Sequence, residues 1–194
     1  MEGQKMDTNE VLINSIENVK QLIDNSIMML RDLDRELSKF GFEPINGNAL
    51  ATETSKSIHQ SSSQYATFFP QYMGRPYALK ADMDTQKVKK IIFINIQIYH
   101  AEYTQLAPSL ISSIIILPET SATIKNEIKS WWVKNIVFEY SNFEDLKKNG
   151  EINEIIDESQ YKNIFWCNDL VKFVDQQSIA HEAKKLVDVF NSVS

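Results

Sequence analysis

The residue types that carry most enzyme chemistry are thinly spread along this chain. His100 and Glu102 form a His-x-Glu pair, an arrangement that in zinc-dependent hydrolytic sites supplies a metal ligand and an acid/base. The cysteines that complete such a site are missing, because Cys167 is the only one. Cys167 lies beside Trp166 in an apolar run, which predicts a buried, inert thiol and not a nucleophile. The other histidines, His59 and His181, fall in no nucleophile–base–orienter pattern. There is no G-x-S-x-G, Walker A or G-x-G-x-x-G motif, and the 5 glycines offer little for a backbone phosphate cradle. No catalytic residue, metal ligand or cofactor is assigned on this basis.

Two groups remain as candidates for binding a small polar ligand. Glu119, Thr120, Ser141, Asn142, Asn168 and Asp169 stand at the ends of predicted strands, beside predicted helix starts. Parallel strands would gather them at one carboxyl edge, where open α/β sheets bind ligands. As helix caps alone, Thr120, Ser141 and Asn142 need no ligand. The second group is the aromatic stretch 65–77, in which Tyr72 and Tyr77 flank Arg75. Aromatics around one guanidinium make a stacking or carboxylate-binding pocket; equally, they can cover an open sheet end.

The elements that must position these groups centre on 88–99 and 110–117. Ile92, Ile94, Ile96 and Ile98 share one face of an extended segment, with Asn95 and Gln97 on the other. That period of two is the pattern of a half-buried strand. The stretch 110–117 is apolar on both faces apart from Ser112 and Ser113, as a more central strand would be. Segment 76–81 turns through 82–86 into the first of these strands as an antiparallel hairpin. Pro118 ends the second strand, and Thr120 or Ser121 caps a helix to about residue 132. Strands at 133–140 and 161–167 follow, with a helix capped by the Ser141/Glu144 box between them and helical turns at 152–157. A last helix covers 175–193.

The expected fold is therefore α+β (mixed α/β) in a single domain. One mixed sheet of about five strands has an antiparallel hairpin in its first half and β-α-β-α-β in its second. A long N-terminal helix (8–40) and the C-terminal helix cover it, and a loop-rich aromatic segment (41–75) precedes the sheet region (76–194). The order α-β-β-β-α-β resembles the restriction-endonuclease-like core, which presents a carboxylate and then an acidic-x-Lys pair on adjacent strands. Asp82 and Asp84 match the first carboxylate, but the next strand carries Asn95-Ile96-Gln97 in place of acidic-x-Lys. The resemblance implies a metal-dependent hydrolase, and the neutral side chains imply an inactive one.

Bulk properties narrow the partners. A net charge of −6 and a pI of about 5.1 argue against nucleic acid, which requires a basic stripe. No run approaches the ~20 apolar residues of a membrane span. The polar first residues lack the core of a signal peptide, so a cytoplasmic protein is expected. The N-terminal helix carries the strongest association signal. Leu12, Ile16, Val19, Ile23, Leu30, Leu33 and Leu37 keep a 4-3 spacing, with Ser26 in the one polar slot. Ile13 and Ile27 widen the stripe on one flank, and Leu22 and Met29 on the other. A stripe that wide exceeds what one sheet face covers. The leading expectation is a non-catalytic binding or regulatory module, a homodimer or partner-bound protein joined through Ile13, Leu22, Ile27 and Met29. The alternative is a ligand sensor or metal-dependent hydrolase acting at the strand ends.

Overall fold

The alternating isoleucines become the middle of a six-stranded sheet. The structure, a computed structural model, describes residues 8–52, 71–100, 105–128, 150–156 and 161–193. In chain order the strands are β1 (Phe42–Pro44), β2 (Tyr72–Leu79), β3 (Val88–Gln97), β4 (Ser109–Ser121), β5 (Asn153–Ile156) and β6 (Lys162–Asp169). They lie in the order β1-β2-β3-β4-β6-β5, with every neighbouring pair antiparallel. The helices are α1 (Thr8–Ser38), α2 (Lys80–Asp84), α3 (Ile124–Ile128) and α4 (Gln176–Ser192). This is an α+β fold, with its two long helices at the two ends of the chain.

Both faces of the sheet are buried, and the two faces differ. Tyr77, Ile92, Ile94, Ile96, Leu110, Ile114, Ile164 and Trp166 point towards α1 and α4 and form the main core. Leu30, Leu33 and Leu37 of α1 meet Ile179, Ala183, Leu186 and Phe190 of α4 there. Each fully buried Leu or Ile contributes about 1.5–3 kcal/mol by leaving water, so this face supplies most of the stability. The opposite face holds Val88, Ile91, Phe93, Ile115 and Leu117 with Ile124 and Ile128 of α3.

Local chemistry fixes the helix ends. Gly41, at a φ of +83°, turns the chain out of α1 in the left-handed conformation that glycine adopts without strain. Asp175 caps α4: its side chain accepts a hydrogen bond from the Ser178 amide at 2.8 Å. Lys90 Nζ donates to the Phe190 and Val193 carbonyls, each at 2.8 Å, and so satisfies the negative end of α4.

Several expectations about the sheet need correction. The second half contains no parallel pair among the described residues: β6 runs antiparallel to both β4 and β5. Only five residues separate Ile156 from Lys162, and so short a link permits a hairpin but not a parallel crossover. The stretch expected to make helical turns at 152–157 is edge strand β5, and the expected loop 41–75 contributes edge strand β1; these two join four of the expected strands to make the six. Nor does Pro118 stop β4. The strand runs to Ser121 through a bulge, in which Lys90 pairs with Ile116 but Val88 pairs with Ser121. Proline lacks an N–H and is tolerated where the ladder is already broken. Arg75 and Tyr72 also leave the loop-rich segment assigned to them and lie in β2. Pro76 fits that strand because β1 pairs only as far as Tyr77. The expected strand at 133–140, the Ser141/Glu144 capping box and Glu102 lie outside the described residues.

Candidate functional site

Arg75 does hold a carboxylate, and the carboxylate belongs to the same chain. Asp34 on α1 accepts from Arg75 Nε and a terminal guanidinium nitrogen, both at 2.6 Å. Tyr77 Oη donates to the same Asp34 at 2.7 Å, and the Ala49 carbonyl takes a further Arg75 bond at 3.1 Å. Burial pushes the Arg75 guanidinium down, but the bonds and charge of Asp34 more than offset this and hold it above its ordinary value. Burial, then the Asp34 charge, keeps the Tyr77 phenol well above its usual 10.0, so it remains a donor. The triad ties α1 to β2 and commits three of the five Arg75 N–H donors within the chain. Tyr72 is not part of it; alternation along β2 sends its side chain to the opposite face.

Antiparallel pairing also divides the strand-end residues. Asp169 pairs with Ser109 at the start of β4, whereas Glu119 is exposed near the far end of that strand. Ten residues at ~3.3 Å each put them roughly 30 Å apart. Ser141 and Asn142 lie outside the described residues. Asn168 and Asp169 remain neighbours, and each lines a different cavity flanking the loop before α4. The nuclease-like set is not assembled either. Asp82 and Asp84 sit on α2, beyond the β2 end that pairs with Ile92, whereas Asn95 and Gln97 pair with Gly74 and Tyr72 at the other end. Asn95 and Gln97 are buried and bonded to each other at 2.8 Å.

Asp169 borders a cavity of about 810 Å³ between α1 and α4, walled by Leu22, Met29, Phe173, Val174 and Ile179. Asn168 borders a smaller, more polar one of about 530 Å³ with Lys172, Phe173, Ser178, His181 and Glu182. Glu182 is the residue that the sequence reading missed. It is only 4% exposed, and its Oε1 accepts from Trp166 Nε1 and Ser112 Oγ, each at 2.6 Å. The signal was available: Glu182 stands between Ile179 and Leu186 on the apolar stripe of α4, where a carboxylate is out of place. Among the described residues no group of three His, Cys, Asp or Glu side chains could hold a metal ion.

The residues expected to mediate association separate along α1. Residues 8–18 are all exposed, among them Ile13 at 60% and Ile16 at 66%. Leu22 and Ile27 are partly buried against the main core, and Met29 is buried within it. Burial pushes the Cys167 thiol up to about 11, in keeping with an inert core cysteine. No described helix is long and apolar enough to cross a membrane. No protein-family model matches the chain, and neither a curated protein nor a solved structure matches it significantly.

Proposed function

We propose that this protein is a binding module that associates with a second copy of itself through the N-terminal part of α1. The observation that carries this reading is the exposed stripe Val11, Leu12, Ile13 and Ile16, whose exposures run from 41% to 66%. Leu12 and Ile16 continue the 4-3 spacing that, at Leu30, Leu33 and Leu37, faces the core. One seam therefore serves the domain along one half of the helix and points to water along the other. Contiguous exposed apolar surface of this kind marks a contact. A twofold pair buries the same residues on both copies at once, and the 4-3 spacing suits helix–helix packing.

Light scattering at micromolar concentration tests this. The expected mass is twice 22.4 kDa. The double substitution Ile13→Glu, Ile16→Glu is expected to give a monomer that melts as the wild-type monomer does, because neither side chain packs on the domain. A monomeric wild type, or a dimer indifferent to both substitutions, overturns the reading. Met29→Glu is unsuitable as a probe, since it would unfold the core.

A further inference from the structure

Glu182 has more acceptor capacity than the described residues use. Its Oε1 takes both described hydrogen bonds, from Trp166 and Ser112. Among the described residues Oε2 accepts none, and no ion pair reaches this carboxylate. Lys185, one turn further along α4, is directed elsewhere: its Nζ lies 4.5 Å from the Trp166 ring centroid and donates to the Gly150 carbonyl. A glutamine would satisfy Trp166 and Ser112 equally well through its own carbonyl oxygen. The second oxygen is therefore the part of this carboxylate that the described fold does not call on. Glu182 also lines the cavity of about 530 Å³, a volume suited to a small molecule.

We infer that this cavity is a binding site for a small organic cation, whose ammonium or guanidinium N–H groups donate to Oε2 of Glu182. Trp166 and Ser112 fix the carboxylate before the ligand arrives, so little ordering is left to binding. Phe173 supplies an aromatic wall for the ligand's body, and Asn168 and Ser178 supply neutral polar contacts. A metal ion fits poorly, because Glu182, His181 and Asp175, though all on the cavity, do not come together as a ligand set. Lys172, exposed on the rim, opposes a cation, and Asp175 on the same rim counters it. This site is independent of the α1 contact and is open to test in monomer or dimer.

Isothermal calorimetry with agmatine tests the inference, with butylurea as the neutral control of similar shape. Saturable one-to-one binding of agmatine and none of butylurea is expected. Glu182→Gln preserves the bonds to Trp166 and Ser112 and is expected to weaken agmatine by about tenfold or more. Lys172→Glu touches none of those bonds and is expected to tighten agmatine several-fold; it decides the matter if Glu182→Gln does not fold. No saturable heat up to about 10 mM agmatine, or equal affinity in a folded Glu182→Gln protein, overturns the site. So does an unchanged affinity in Lys172→Glu where that variant has to decide.

Discussion

Removing the Asp34 carboxylate should loosen the first helix from the sheet. In Asp34→Ala, Arg75 loses two bonds of 2.6 Å and Tyr77 loses one of 2.7 Å. Breaking a buried ion pair from one side typically costs about 3–5 kcal/mol, because the remaining charge is stranded. Two features reduce that figure here. The Asp34 side chain is 28% exposed, so water reaches the gap, and the Ala49 carbonyl still accepts from Arg75. Alanine is also the better helix former by roughly 0.5 kcal/mol. The net expectation is a loss of about 2 kcal/mol, which for a chain of this size lowers the melting temperature by roughly 4–8 °C. Urea unfolding at neutral pH, followed by far-ultraviolet circular dichroism, measures it. Adding Arg75→Met should recover part of the loss, since it removes the stranded charge. An Asp34→Ala protein within about 0.5 kcal/mol of wild type would mean that the triad does not hold α1, and the energetic argument would fail.

Two further outcomes follow from packing and burial. A Cβ on Gly74 would stand 2.8 Å from the Cζ atom of Phe93, a ring that is 1% exposed, so Gly74→Ala should cost about 1–3 kcal/mol in urea unfolding; a neutral substitution would show that the ring has room to move. Folding raises both the Cys167 thiol, from 9.0 to about 11, and the Tyr77 phenol above 10.0. A group raised by folding gives its stability in full below its unfolded value and loses it as pH rises through the folded one, so stability should be level up to about pH 8 and decline beyond pH 9. Raising the thiol to about 11 corresponds to roughly 2–3 kcal/mol lost by pH 11, and Cys167→Ala should flatten that part of the decline. At pH 8 iodoacetamide should leave native Cys167 unmodified and label it in urea; rapid native labelling would contradict its burial.

What the sequence disclosed follows from what apolar spacing encodes. Alternation along β3 and the uniform apolar run of β4 set their burial directly, so both strands were legible, as was α4 from its 179–190 stripe. Strand direction leaves no mark on such a pattern. The parallel arrangement was inferred from intervening helices, and the five-residue link between β5 and β6 was the better guide. β5 itself is a short edge strand, Asn153–Ile156, with alternate residues in partial contact, too few to distinguish from a turn. At the candidate sites residue type was informative but partnership was not. Arg75 was recognisable as a carboxylate binder, yet its partner Asp34 lies 41 residues away in sequence. Glu182 stands out on the apolar stripe of α4, but its partners, Ser112 and Trp166, come together only when β4 pairs with β6.

The two halves of α1 obey different constraints although they form one helix. Ser26 marks the boundary: it occupies the polar slot of the seam, is 1% exposed, and satisfies its hydroxyl within the helix on the Leu22 carbonyl at 2.7 Å. Beyond it Met29, Leu30, Leu33 and Leu37 are held by the core, and Asp34 by the triad. That anchored half supplies the costly helix nucleus, and each residue before it adds a hydrogen bond for one residue fixed. The exposed half can therefore be helical without a partner, while its apolar side chains stand in water. On the proposed association, folding and contact are separated along a single helix: Ile13 and Ile16 would govern contact with a second copy, Met29 the domain, and Leu22 and Ile27, partly buried between them, would report on both.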